Sequence, residues 1–141
     1  MKIVIDTNVL VSGLLSPAGP PGRIVDLIAT ETVCVLYDDR ILAEYREVLA
    51  RPKLGINPRE VAILMEEIEL RGLLVFSPPL PIELPDADDL PFVEVAHAGA
   101  AAFLITGNVR HFLPAQDQFL VPVVTPATFL TLWLSDSAGT N

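Results

Sequence analysis

Short apolar runs alternate with segments of helical periodicity along the chain. The first run, Ile3 to Ile5, is β-branched and is followed at once by polar residues, which is typical of a buried parallel strand. Similar runs predict four more strands, over 33–36, 73–76, 102–105 and 121–124. Because helical segments separate them, the sequence predicts an α/β fold: a three-layer α/β/α sandwich on a five-stranded parallel sheet.

The segments between the strands carry apolar residues at helical spacing. They predict helices that cover residues 9–15, 23–30, 39–51, 58–71, 89–98 and 126–134. Asn57 and Thr125 precede Pro58 and Pro126 as helix caps, whereas either Asp38 or Asp39 could cap the third helix. Two proline-rich stretches, 16–22 and 77–89, are expected to be loops. We therefore expect one domain over residues 1–134 and a flexible tail over 135–141.

Composition and charge restrict the classes of protein to which this chain can belong. The chain has 141 residues and a formal net charge of −9, which argues against a large basic surface for nucleic acid. The sequence shows no signal-peptide pattern and no apolar stretch long enough to span a membrane, so we expect a cytoplasmic protein without membrane association. Cys34, the single cysteine, lies in an apolar run and is expected to be a buried structural thiol.

Acidic and polar side chains recur where the predicted strands end. Asp6 follows the first strand, an acidic group at 86–89 precedes the helix before the fourth strand, and Thr106 and Asn108 follow that strand. Glu44 lies on the helix after the second strand. Because the carboxyl ends of parallel strands meet at one edge of a sheet, we expect these groups to converge. Clustered carboxylates repel each other unless a cation neutralises them, and oxygen ligands favour Mg²⁺ or Mn²⁺ over zinc.

Each of these residues also has a purely structural interpretation. Asp6 and Asp89 precede predicted helices and could be caps alone. Glu44 could be a solvated residue beside the apolar face of its helix. Of the two histidines, His97 is expected to pack or face solvent, and His111 is expected to make a loop contact.

Four motifs together carry a resemblance to a known family. They are IVIDTNVLVSG at the start, ILAEYREVL around Glu44, DADDLPFVEVA after the second proline-rich stretch, and FLITGNVRHF near the end. In this order and spacing they resemble the PIN domain, over residues 2 to about 134. The greatest similarity is to the PIN-family toxins of prokaryotic toxin–antitoxin pairs, which are related to the VapC-type toxins.

The resemblance implies a ribonuclease, specifically an endonuclease, that depends on Mg²⁺ or Mn²⁺. By motif, Asp6, Glu44 and Asp89 would be the metal ligands and catalytic acids. Asn108 would be a fourth catalytic residue, and the supporting residues would be Asn8, Asp86 and Thr106. The sequence departs from the pattern at Asn108, where many members of the family have Asp. An amide brings no charge, which weakens any case for a second metal ion and puts catalytic strength in question.

The resemblance also implies partners. RNA would be the substrate, approached through the few basic residues such as Arg40, Arg46 and Arg110, and a cognate antitoxin protein would bind the same groove. A homodimer is a further expectation. Two other classes compete with this interpretation. One is a catalytically weak, degenerate PIN-like module that binds protein or RNA; the other is a receiver-like phosphotransfer domain. The second is disfavoured because neither lysine, Lys2 or Lys53, follows the last strands.

Overall fold

A computed structural model describes residues 1–139 and the side chains of residues 1–136. Within this range the strands form one parallel sheet in the order β3-β2-β1-β4-β5. The strands are β1 (Lys2–Ile5), β2 (Cys34–Tyr37), β3 (Leu73–Leu74), β4 (Phe103–Ile105) and β5 (Val123–Val124). β1 is therefore the central strand, with β2 on one side and β4 on the other.

Helices cover both faces of this sheet, which confirms the predicted three-layer α/β/α sandwich. They are α1 (Thr7–Leu15), α2 (Pro20–Ala29), α3 (Asp39–Leu49), α4 (Pro58–Arg71), α5 (Leu90–Ala98), α6 (Leu113–Phe119) and α7 (Pro126–Gly139). Helix α2 packs against α1, α4 and α7, whereas α5 packs against β1, β2, β4 and α3. Short 3₁₀ turns lie at Pro52–Leu54, Ala87–Asp89 and Val109–Phe112. No helix within residues 1–139 is long and apolar enough to cross a membrane.

The central strand is buried on both faces. Ile3, Val4 and Ile5 are all fully buried, as a strand covered by helices on both sides requires. The ring of Tyr45 on α3 is also fully buried and packs near Phe92 of α5. Its hydroxyl group donates a hydrogen bond to the carbonyl oxygen of Ile5. This contact fixes α3, which carries Glu44, against the end of β1.

Three predicted caps are present. Asp38 Oδ1 accepts a hydrogen bond from the Ile41 amide at 3.0 Å, which settles the choice between Asp38 and Asp39. Asn57 caps α4 through the amide of Arg59 at 2.9 Å. The hydroxyl oxygen of Thr125 accepts from the Thr128 amide at 3.1 Å at the start of α7. Local side-chain chemistry therefore places these helix starts correctly.

Other helix bounds differ from the predictions. Helix α2 begins at Pro20, inside the stretch that was expected to be a loop, because proline is well tolerated in the first turn of a helix. Helix α6 was not predicted at all, since Ala115 is its only buried residue and it has no apolar stripe. Helix α7 continues to Gly139, beyond the predicted end at Leu134. The expected flexible tail falls partly on residues 140–141, which lie outside the described residues, and it stays a prediction.

Candidate active site

The candidate site lies at the point in the sheet where the strand order reverses. The chain builds β2 and β3 on one side of β1, then returns to build β4 and β5 on the other side. In open α/β sheets, a crevice forms at the carboxyl ends of the two strands that flank such a switch point. Asp6 follows β1 and Thr106 follows β4, so both residues lie at this crevice.

Asp6 is held by Thr106 and does not act as a side-chain cap. It occupies the N-cap position of α1, but its carboxylate makes no capping hydrogen bond there. Instead, Oδ2 accepts a hydrogen bond from the Thr106 hydroxyl group at 2.8 Å. Asp6 is only 8% exposed, and this burial raises the pKa of its carboxyl group, while the Thr106 hydrogen bond opposes the rise. Capping alone is therefore the wrong interpretation of Asp6.

Glu44 is drawn to the same edge from α3. The Thr7 hydroxyl group donates a hydrogen bond to Glu44 Oε2, which ties α3 to the first turn of α1. Partial burial raises the pKa of Glu44, and the negative charges of Asp6, Asp88 and Asp86 raise it further. Glu44 is thus a half-buried member of an acidic group and not a freely solvated residue.

Asp89 is the most perturbed acid of this group. It precedes α5 without making a side-chain capping bond, and its side chain is 15% exposed. Burial, followed by the charges of Asp6 and Asp86, raises the pKa of Asp89 from 3.8 to about 7. Asp86 is exposed, and its Oδ1 accepts a hydrogen bond from the Asp88 amide at 2.9 Å, which orders the turn before Asp89.

The loop after β4 contributes three further polar contacts. The Thr106 hydroxyl oxygen accepts a hydrogen bond from the Asn108 amide N–H at 2.9 Å. The Gly107 N–H donates to Asn8 Oδ1 at 3.4 Å, a long contact that joins this loop to α1. The side-chain nitrogen Nδ2 of Asn108 lies 3.1 Å from both ring nitrogens of His111. The predicted supporting residues are therefore beside Asp6, but the Asn108 amide group is turned towards His111.

His111 is a site residue that sequence reasoning missed. Its Nδ1 lies 3.7 Å from Asp89 Oδ2, and a positive charge at His111 would lower the pKa of Asp89 and of Asp6. The expected loop contact exists, but it is made to the acidic group. The sequence did contain one signal for the position of His111. It follows Asn108 by three residues, and a 3₁₀ turn brings side chains at that spacing together.

An ion pair between a buried glutamate and a half-exposed arginine was also missed. Glu94 on α5 is only 3% exposed, and its Oε1 lies 2.7 Å from Arg40 Nη1. Its other oxygen accepts a hydrogen bond from the Leu80 N–H at 2.8 Å. Arg40 also pairs with Asp38 at 2.7 Å. The guanidinium group expected to approach RNA therefore already has protein partners, and its contacts tie α3, α5 and the loop after β3 together.

The other two candidate RNA contacts differ from each other. Arg46 forms an ion pair with Glu69 of α4. Arg110 is exposed beside Asn108 and His111, and it makes no ion pair within the described part of the chain. Of the three, Arg110 is the one exposed basic side chain for which no ion pair is found among the described residues.

The donor set fits a hard divalent cation in its chemistry. Asp6, Glu44 and Asp89 offer only carboxylate oxygens. Burial raises the pKa of each, and nearby negative charges raise it further: Asp86 for all three, and Asp6 for Glu44 and Asp89. A cation would remove both the repulsion and the need to hold protons. In the described residues, however, no three Asp, Glu, His or Cys side chains lie close enough to share one ion. The acids are thus neighbours across the crevice, but they do not form a closed coordination site.

Comparison with known proteins identifies the class to which this fold and site belong. The sequence matches the PIN-domain family over residues 2–110. It is also 34% identical over 113 residues to an uncharacterised protein, MJ1680, of Methanocaldococcus jannaschii, an alignment that covers 77% of this chain and 71% of that protein. The chain therefore belongs to the PIN-domain family. PIN domains are generally nucleases and typically use divalent metal ions.

Proposed function

We propose that this protein is a Mg²⁺- or Mn²⁺-dependent endoribonuclease and acts as the toxin of a toxin–antitoxin pair. The observation that carries the nuclease proposal is the approach of Asp6, Glu44 and Asp89 at the switch point of the sheet, where each carboxyl group has a raised pKa. Burial is the main cause of each raised pKa and neighbouring negative charges add to it, and a bound cation would compensate for both.

Each acid has a distinct role in this proposal. Asp6 and Asp89 hold the cation, which when bound lowers the pKa of water and stabilises negative charge on the scissile phosphate group. The Thr106 hydroxyl group restrains the Asp6 carboxylate, so less side-chain freedom is lost on binding. Glu44, restrained by Thr7, orients water or completes the ligand set. Asp89 must lose its proton for this role, and a pKa near 7 makes that loss accessible at neutral pH.

An RNA cleavage assay on a circular single-stranded RNA tests the activity, because only an endonuclease can cut a circle. We expect cleavage with Mn²⁺ or Mg²⁺, none with a chelator, and none by Asp6→Asn. Asp117→Asn is the matched control, since Asp117 is exposed on α6 and does not shift the pKa of any of the three acids. Cleavage by a pure, folded Asp6→Asn variant at the wild-type rate would refute the proposal.

The toxin role rests on the resemblance of the motifs and needs a test in cells. Induced expression of the wild-type protein should arrest growth, and Asp6→Asn should not. Co-expression of the cognate antitoxin, sought as the adjacent gene, should restore growth and protect the protein in a purified complex. If Asp6→Asn arrested growth as the wild-type protein does, toxicity would not depend on the acidic site.

One observation favours a second candidate, a PIN-like module that binds RNA or protein with little catalysis. The Asn108 amide group is turned to His111 and adds no charge to the acids. This candidate predicts that the protein retains labelled single-stranded RNA in a gel-shift assay without cutting it at any Mn²⁺ concentration. The circular-RNA assay therefore decides between the two candidates.

A further inference from the structure

We propose that a cavity beside the acidic crevice binds one unpaired base of a single-stranded RNA. This side cavity has a volume of about 260 Å³ and is lined by Asn8, Val9, Ser12, Pro21, Gly107 and Pro126. The inference rests on the proposed function, because it places a base of the RNA substrate next to the phosphate group that is cut. It gives the protein a means of preferring one RNA sequence over another.

The side cavity lies at the same edge of the sheet as the acids. Three of its lining residues come from the segments that follow β1, β4 and β5, namely Asn8, Gly107 and Pro126. Gly107 directly follows Thr106, whose hydroxyl group holds the Asp6 carboxylate at 2.8 Å. The Gly107 N–H also donates to Asn8 Oδ1 at 3.4 Å, so the wall of the cavity is continuous with the part of the crevice that holds Asp6. An RNA strand with a phosphate group at Asp6 would therefore pass the opening of the cavity.

The apolar part of the lining favours a base over a phosphate group. Val9 and Pro126 are buried and Pro21 is half-buried, so they form the closed part of the cavity. Apolar side chains of this kind pack against the flat face of an unpaired base. Phosphate groups are instead bound by basic side chains and backbone N–H groups. No lining residue is basic, proline has no N–H, and the Gly107 N–H is already used.

The size of the side cavity also suits a single base. Pockets for drug-sized ligands have volumes of about 300–1,000 Å³ and combine apolar walls with a few polar groups. At about 260 Å³ this cavity lies just below that range, although its lining has the same mixed character. It therefore has room for one base and not for a stack of several.

Asn8 and Ser12 provide the polar contacts for the edge of the base. Both residues are exposed and lie at the opening of the cavity. The Gly107 N–H can only donate, so it fixes the Asn8 amide group with Oδ1 towards Gly107 and leaves Nδ2 as a donor. A carbonyl oxygen or an unprotonated ring nitrogen of a base can accept from Nδ2, and the Ser12 hydroxyl group can donate or accept. Hydrogen bonds of this kind are how proteins distinguish the bases of single-stranded RNA.

Gly107 keeps the opening of the cavity wide. A Cβ atom at this position would lie 3.6 Å from Asn8 Nδ2, which is ordinary van der Waals contact. The backbone of Gly107 does not have a positive φ, so alanine can adopt its conformation. Gly107→Ala would therefore fold, but its methyl group would occupy space beside the amide nitrogen that the base must reach.

Nitrogen-15 NMR of the metal-free protein with neutral nucleosides tests the site directly. Adenosine, cytidine, uridine and inosine are added separately at millimolar concentration, with ribose 5-phosphate as the control that lacks a base. We expect at least one nucleoside to shift the backbone amide signals of Asn8, Ser12 and Gly107, and ribose 5-phosphate to leave them in place. The absence of these shifts with all four nucleosides would overturn the inference. Equal shifts with ribose 5-phosphate would also overturn it, because they would identify a phosphate site.

Substitutions in the lining test where the nucleoside binds. Asn8→Asp keeps the acceptor for Gly107 but removes the donor, so affinity for the preferred nucleoside should fall by about 3- to 10-fold. Because the nucleosides are uncharged, repulsion of a phosphate group cannot cause this loss. Ser12→Phe should fill the cavity and reduce affinity at least as much. Ser16→Phe is the matched control, since Ser16 is exposed at the other end of α1. Wild-type affinity in both Asn8→Asp and Ser12→Phe would overturn the inference.

Cleavage of a randomised single-stranded RNA with Mn²⁺, followed by sequencing of the new ends, separates this inference from the proposed function. The wild-type protein should prefer one base at a fixed position beside the cut, and Gly107→Ala should show a weaker preference. Wild-type cleavage without preference at any position would overturn the inference and leave the nuclease proposal intact. A protein that binds nucleosides through Asn8 and Ser12 but cuts no RNA would refute the nuclease proposal and retain the base site. Melting temperatures of all variants would show that each is folded.

Discussion

The hydroxyl group of Thr106 lies 2.8 Å from Asp6 Oδ2, although the two residues are 100 positions apart in the chain. Thr106 is fully buried and Asp6 nearly so. The hydrogen bond therefore replaces one that Asp6 would make with water, and it does so across the boundary between β1 and β4. The pairing of β1 with β4 therefore determines where the Asp6 carboxylate is held.

Thr106→Val should remove this hydrogen bond while keeping the shape of the side chain. A buried carboxylate left without its donor costs about 1–3 kcal/mol, so the free energy of unfolding at pH 7 should fall by that amount. Mn²⁺ affinity should fall as well, because Asp6 loses its restraint. Urea unfolding and calorimetry measure the two effects. Thr131→Val is the control, because Thr131 is exposed on α7. If both variants lost the same unfolding free energy and Mn²⁺ affinity, the hydrogen bond of Thr106 would have no special role.

Stability of the metal-free protein should depend on pH through Asp89. Its pKa is raised from 3.8 to about 7, so the folded protein holds a proton that the unfolded chain releases at lower pH. The stabilisation is therefore complete below about pH 4 and is lost as the pH rises through about 7. Asp6 and Glu44 add to the trend in the same direction. Melting temperatures should fall between about pH 4 and about pH 7 and change little above that.

Asp89→Asn provides the comparison for this pH dependence. The substitution removes the titrating group, so the decline in melting temperature with pH should become shallower. Saturating Mn²⁺ should also reduce the decline in the wild-type protein, because the cation favours the ionised acids. A wild-type slope that neither Asp89→Asn nor Mn²⁺ changes would mean that other groups control it.

Mn²⁺ should stabilise the wild-type protein by mass action, with a melting temperature that rises with metal concentration. Asp6→Asn should lose most of that rise. Without metal it should be at least as stable as wild type, because one repelling charge is gone from beside Glu44 and Asp89. Thermal melts over a series of Mn²⁺ concentrations measure both effects. An unchanged wild-type melting temperature at millimolar Mn²⁺ would count strongly against the site.

Arg40→Gln should leave Glu94 buried without its partner charge. Arg40 is half exposed and Glu94 keeps its hydrogen bond from Leu80, so we expect a loss of about 1–3 kcal/mol, which is smaller than for a fully buried pair. The double variant Arg40→Gln/Glu94→Gln should recover part of the loss. Arg51→Gln, which breaks the exposed pair with Glu47, should cost less than about 1 kcal/mol. Urea unfolding of wild type, Arg40→Gln, Glu94→Gln and the double variant completes the cycle, and additive losses in the double variant would contradict this coupling.

Sequence patterns predicted the fold well because its signals are local. The β-branched run at Ile3–Ile5 and the caps at Asn57 and Thr125 each depend on neighbouring residues, and they placed strands and helix starts correctly. Helix α6 was missed because its sequence buries only Ala115 and so lacks periodicity.

The candidate site was predictable only in part. Asp6 follows β1, Glu44 lies on the helix after β2, and Asp89 precedes the helix that leads to β4. The parallel topology therefore already implied that the three approach one edge of the sheet. Glu94 gave no comparable signal, because a helical Glu is normally solvated and its partner Arg40 is 54 residues away. His111 was discounted for the same reason: its contact with Asp89 depends on how two distant loops meet, which spacing along the chain does not encode.

The position of β1 has a consequence for the timing of synthesis. β1 is synthesised well before β4, so the two strands can pair only after residues 103–105 have been made. Until then Asp6 has no Thr106 to restrain it, and Asp89 has no settled position opposite it. Non-local pairing of this kind forms late in folding. A nascent chain should therefore not hold Asp6 in its restrained position until β4 and the residues directly after it have been synthesised.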